Sequence, residues 1–223
     1  MNEWVRRKLR LAEGLANGEC GGGYDDAFLV LSSVMSAVAA ALWPKKEHTD
    51  RMRFVELWAR YAAPELHPNL ISLPLLIQGL REKDNDAAEE LRRLREEFLE
   101  FAEELDDLVV TGGLVDVPEN EVLAVTRGAA SVVRQYSYGN LYYRYYRSGY
   151  VHEYTVGSHG DAVRLSEVEG AVAYESWMDP PHRRINFDVR WITDIARTVC
   201  TNVAADWRRR PLPLPEIWWI NGA

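Results

Sequence analysis

Eight of the eleven tyrosines lie between Tyr136 and Tyr154, in a run that also carries Arg144, Arg147, His152 and Glu153. Tyrosine offers a flat ring for stacking on bases and a phenol for hydrogen bonds, while arginine offers charge for phosphate oxygens. The competing explanation is a helix whose rings pack the core and whose hydroxyls point to its boundary. Four residues separate Arg147 from His152. An arginine stays charged and grips a phosphate through two donors, and an imidazole, with a reference pKa of about 6.5, exchanges a proton near neutral pH. Those two groups suit RNA cleavage without a metal, which needs a base for the 2′-hydroxyl, an acid for the leaving oxygen and a cation for the phosphate charge. The structural alternative is a capping or core His152, with Arg147 ion-paired to Glu153. Spacing alone decides little, because Arg60 and His67, with six residues between them across Pro64, fall in the same R-x4-6-H range outside the aromatic strip. On an ideal helix, residues five apart point about 140° from one another. Either Gly149 breaks the helix, or two chains complete one site.

Residues 147 to 154, Arg-Ser-Gly-Tyr-Val-His-Glu-Tyr, resemble the R-x4-6-H signature of the HEPN domains, helical proteins that commonly act as metal-independent ribonucleases in prokaryotic defence and toxin systems. Upstream, Gly23-Tyr24-Asp25-Asp26-Ala27 and Arg53-Phe54-Val55-Glu56-Leu57 resemble the helical hairpin preceding that signature, so the likeness covers about residues 1 to 155. It implies catalytic roles for Arg147 and His152, a homodimer with two motifs facing a shared cleft, single-stranded RNA as substrate, and no metal or other cofactor. Arg144, Ser148, Tyr150 and Glu153 are then expected to contact the RNA. Tyr154 fits the R-x4-H-x-Y form, whose tyrosine can be adenylylated by a cognate nucleotidyltransferase antitoxin, the partner this form implies. Ser148 departs from the pattern, since active members often carry Asn, Asp or His there.

The elements that position these residues are expected to be helices. Apolar residues recur at helical spacing over 3–17, 25–43 and 86–108. Thr49-Asp50 caps a third helix that Pro64 and Pro68 close, and 64–74 reads as a connector with a short turn over 75–80. Thr111-Gly112-Gly113 reads as a loop. A further helical tract runs from Pro118 to Arg147 with a break expected at Gly139-Asn140. Alternation on either side of Asp179-Pro180-Pro181 predicts a small β-hairpin inserted near residues 165–188, and Asp188 opens a last helix toward Trp207. The fold class is therefore mainly α: a helical bundle of HEPN type with a β-hairpin insertion, one domain over 1–207, and an extended Pro-rich tail over 208–223 packing on it.

Composition bounds the rest. With 47% hydrophobic and 27% charged residues among 223, the chain is an ordinary globular protein and neither disordered nor a disulfide scaffold. No apolar run reaches the roughly 18 residues of a membrane span, because serines interrupt Phe28 to Trp43, and no secretory signal is visible. Cys20 and Cys200 form no CxxC pair, so reduced thiols and a cytoplasmic location are expected, without a zinc site. The Gly21-Gly22-Gly23 run has no preceding strand and no following Gly-Lys-Ser/Thr, which sets a phosphate loop aside. The net charge of −8 opposes a broadly nucleic-acid-coated protein, yet the whole excess falls between Glu82 and Asp107, while residues 122–160 hold four arginines against Glu153 alone. A non-catalytic module binding nucleic acid, a nucleotide or a partner protein is the competing class.

Overall fold

The computed structural model describes residues 3–44, 49–81, 83–96, 110–126, 130–152, 171–178 and 181–207. The protein is mainly helical, with a small antiparallel sheet. Glu153, Tyr154, the Pro-rich tail 208–223 and all of 97–109 lie outside the described residues.

Helix α1 spans Glu3–Ala16 and α2 spans Tyr24–Leu42. Gly21, at φ +67°, makes the left-handed turn between them that favours glycine. Asp26 accepts the Gly23 N–H at 2.9 Å and, with Asp25, puts negative charge at the start of α2. The expectation that no apolar segment reaches membrane-span length does not hold for α2. This helix has 19 residues and an 18-residue stretch of mean hydropathy 1.6. Its serines stay inside the helix, and it packs against α1, against α3 (Asp50–Tyr61) and against the last helix. Ala27, Phe28, Leu31 and Met35 are fully buried there.

Thr49 caps α3 as its sequence predicts, its hydroxyl accepting the Met52 N–H at 3.3 Å. A 3₁₀ turn at Pro64–Leu66 follows, then α4 (Leu73–Leu80) and α5 (Asn85–Arg93). Thr111-Gly112-Gly113 is no plain loop. Strand β1 covers Val110–Thr111, and α6 (Gly112–Val115) follows directly. After α7 (Glu119–Val125) and α8 (Ala130–Arg134), helix α9 (Tyr138–Leu141) runs without interruption into a π-helical segment, Tyr142–Arg147, and then α10, Ser148–His152.

The break expected at Gly139-Asn140 lies instead at residues 135–137, where Ser137 bridges to Ile71. Gly139 stays helical because the Trp58 indole lies against it. A Cβ there would sit 2.9 Å from Trp58 Cδ1. Glycine marks a close approach here, which sequence alone does not distinguish from a break.

The hairpin pairs β2 (Val172–Met178) with β3 (Pro181–Phe187), with Val172 opposite Phe187. β1 adds a third strand, Val110 opposite Tyr174, so strand structure is not confined to 165–188. Asp188 caps the last helix, α11 (Val189–Asp206), by accepting from Arg190 and Trp191 N–H. The two cysteines are free. Cys200 is buried, which pushes its thiol up to about 12.

Four tyrosines at every fourth position, Tyr138, Tyr142, Tyr146 and Tyr150, form a buried spine. In a pure α-helix each step of four advances about 40°, so such a row would spiral away from the core. The wider π-turn takes more residues per revolution and sets the row back in line. Tyr142 stacks on Tyr146 at 5.5 Å with the planes 5° apart, and Phe28 stacks on Tyr150 at 5.9 Å. Their hydroxyls find partners: Tyr142 with Ser32 at 2.9 Å, Tyr146 with the Ile185 carbonyl at 3.0 Å, Tyr150 with Asp25 at 2.5 Å. Half of the tyrosine strip is therefore this chain's own core.

A second buried network holds the sheet to the helices. Tyr138 and Tyr174 both donate to Asp116 Oδ2, at 2.5 and 2.6 Å, and the Leu73 N–H donates to Oδ1 at 3.0 Å. Burial pushes the Asp116 carboxyl up to about 7, although these three donors favour its anion.

Candidate functional site

The spine fixes the directions of all other side chains on the tract from 138 to 152. Two positions from each spine tyrosine lie Asn140, Arg144, Ser148 and His152, a second row at the same spacing of four. Since the first row keeps to one face over the whole tract, the second does too. Asn140 is buried, Ser148 half-buried, and Arg144 and His152 are exposed. Three residues expected in the site, Arg144, Ser148 and His152, thus share one solvent-facing row. Tyr150 does not join them. It is 2% exposed, stacked on Phe28 and bonded to Asp25, so its ring packs the protein's interior.

Arg147 falls on a third row, between Tyr143 and Val151. Helical side chains lean toward the N-terminus, and Arg147 does so: its guanidinium carbon lies 5.0 Å from the centre of the Tyr143 ring one turn earlier. Its Nε donates to Ser36 Oγ at 3.2 Å, and its Nη2 pairs with the Asp50 carboxylate. The arginine therefore points away from His152, and its side chain is only 12% exposed. Gly149 lies within α10 and does not turn the helix to reunite the two. One chain does not bring Arg147 and His152 to a common atom. Arg147 takes Asp50 as its ionic partner; Glu153, the partner in the structural alternative, lies outside the described residues.

Asp50 was not legible as a site residue. It accepts from Tyr143 Oη at 3.1 Å and lies 3.9 Å from Arg53 Nη2. Arg51, beside it, donates through Nε to Asn140 Oδ1 at 2.9 Å. The start of α3 and the π-turn therefore put Arg53 and Arg147 on one aspartate, with Arg51 and Arg144 close to each other nearby. Burial, and after it the Arg144 charge, hold the Arg51 guanidinium below its usual pKa. Burial likewise raises the Tyr143 phenol.

The other Arg-x-His pair is explained by local structure. Arg60 binds the Glu56 carboxylate at 2.8 Å, and His67 ends the 3₁₀ turn in a left-handed conformation. Among the described residues no three His, Cys, Asp or Glu side chains are grouped to hold a metal. No protein family, curated protein or solved structure matches this chain.

Proposed function

We infer that this protein is a metal-independent endoribonuclease of HEPN type acting on single-stranded RNA, in a toxin or defence system. The observation that carries the reading is the row of the exposed Arg144, the half-buried Ser148 and the exposed His152, with Arg147 held beside it by Asp50 and Ser36. In the reaction an imidazole takes the 2′-hydroxyl proton, the 2′-oxygen attacks the adjacent phosphorus, and the 5′-oxygen leaves with a proton from a second imidazole. The products are a 2′,3′-cyclic phosphate and a 5′-hydroxyl. Each chain offers one such histidine, so two chains related by a two-fold axis supply base and acid, with arginine charge on the phosphate. Tyr136, Tyr143 and Tyr145, which are only partly buried, and the exposed Val132 and Val151 are the apolar groups left for such an interface. Tyr154 remains the proposed site of adenylylation by an antitoxin.

The test is cleavage of an unstructured RNA oligonucleotide with chelator present. A cyclic-phosphate product that forms at an undiminished rate in chelator supports the reading; no cleavage by a dimeric preparation refutes it. One observation favours the second reading, a non-catalytic binding module: the Arg147 guanidinium is already engaged by Asp50 and Ser36 and turned away from His152.

A further inference from the structure

Arg51 and Arg144 come from different elements and carry like charge, yet the fold brings them together. The buried Asn140 fixes the first of them. Its Nδ2 donates to the Arg134 carbonyl at 2.8 Å, which leaves Oδ1 to receive Arg51 Nε. Arg144 follows Asn140 by four residues and so rises on the same row, its guanidinium carbon 5.2 Å from the centre of the Tyr145 ring. The only nearby aspartate among the described residues, Asp50, is engaged by Arg147, Arg53 and Tyr143. Neither Arg51 nor Arg144 has a carboxylate within ion-pair distance among the described residues. The Arg144 charge acts on Arg51 against its protonated form, and without a counter-charge among the described residues the fold bears the cost of that repulsion. A bound oxyanion would turn it into attraction, with the donors already oriented.

We propose that Arg51, held by Asn140, and Arg144, one turn along from Asn140, bind a backbone phosphate of single-stranded RNA on the row that leads to His152. The identity of the strand rests on the ribonuclease reading; the anion site rests on the three side chains alone. Along the helix axis Arg144 and His152 are at most about 12 Å apart, the span of eight residues at the α-helical rise of 1.5 Å, which the π-turn shortens. A strand gripped at the arginines therefore runs past the imidazole within a few nucleotides. The excess negative charge elsewhere on the protein restricts such a strand to this narrow basic strip.

The experiment is fluorescence anisotropy of a labelled, unstructured RNA oligonucleotide titrated with full-length His152→Ala protein, which does not consume the probe, over a range of salt concentrations. Each phosphate contact on a single strand contributes about 0.7 to the slope of log affinity against log salt. Adding Arg51→Gln and Arg144→Gln removes that one phosphate contact, and should lower the slope by about 0.7 and weaken binding at low salt by at least about tenfold. Arg144→Gln alone changes an exposed side chain, keeps the fold and should remove part of that roughly 0.7. Unchanged slope and affinity in the double and the single variant overturn the site, as does an absence of RNA binding in the parent. Binding with the expected slope loss, but no cleavage by the wild-type protein, keeps the site and discards the ribonuclease. Cleavage together with an unchanged slope does the reverse.

Discussion

Arg147 and Asp50 are joined in an ion pair where α3 begins and the π-turn ends. The Tyr143 ring lies under the guanidinium, and its hydroxyl donates to the same carboxylate at 3.1 Å. With Ser36 of α2, which accepts from Arg147 Nε at 3.2 Å, three side chains from three elements thus fix one arginine.

Replacing Asp50 by Asn removes the charge while keeping an acceptor. The Arg147 guanidinium, mostly buried, is left without its counter-ion. Since Asp50 is about a third exposed, solvent offsets part of the loss, and a stability decrease of about 1 to 2 kcal/mol is expected. Urea unfolding measures it. A variant as stable as the parent would show that the pair contributes nothing to the junction.

Asp116 gives the fold an unusual pH dependence. The folded chain keeps this proton up to about pH 7, whereas an unperturbed aspartate releases it near 3.8. Between those values the native state binds more protons than the unfolded one, so this group's contribution to stability falls as pH rises and levels off above about 7. Comparing the unfolding free energy of the parent and Asp116→Asn from pH 4 to 8 isolates the effect. The difference between the two curves should tilt against the parent by on the order of a few kcal/mol across that window. Parallel curves would mean that the two tyrosines and the Leu73 amide hold the carboxylate ionised throughout.

Much of this architecture is legible in the sequence. Thr49 and Asp188 announce their helices as capping residues, and the alternation on both sides of Asp179 announces the hairpin. Arg144 and His152, both in the local basic strip, are exposed. Other features arise from partners distant in the chain. Gly139 looks like a helix break until Trp58 is placed against it. The tyrosine cluster looks like surplus for an interface until Phe28, Ser32 and Asp25 are seen to receive it. Asp50 reads as a first-turn acid on α3 and nothing more, because its link to Arg147 is purely tertiary. The π-turn has no signature in composition, yet the tyrosines at every fourth position are the pattern that requires it.

Tyr150→Phe separates packing from RNA contact. The ring stays stacked on Phe28 while Asp25 loses its donor, so a cost of about 1 kcal/mol is expected. Affinity for RNA should not change. A weakened affinity at full stability, measured by anisotropy beside a thermal melt, would mean that this tyrosine reaches the ligand after all.

His152 is exposed where the described tract ends. The most direct measurement is single-turnover cleavage of an unstructured RNA by the wild-type and His152→Ala proteins in chelator, with the melting temperature of each recorded alongside. The account predicts that cleavage by the variant is lost while its melting temperature stays within a degree or two of the parent. Cleavage by His152→Ala at the wild-type rate per folded molecule would contradict it.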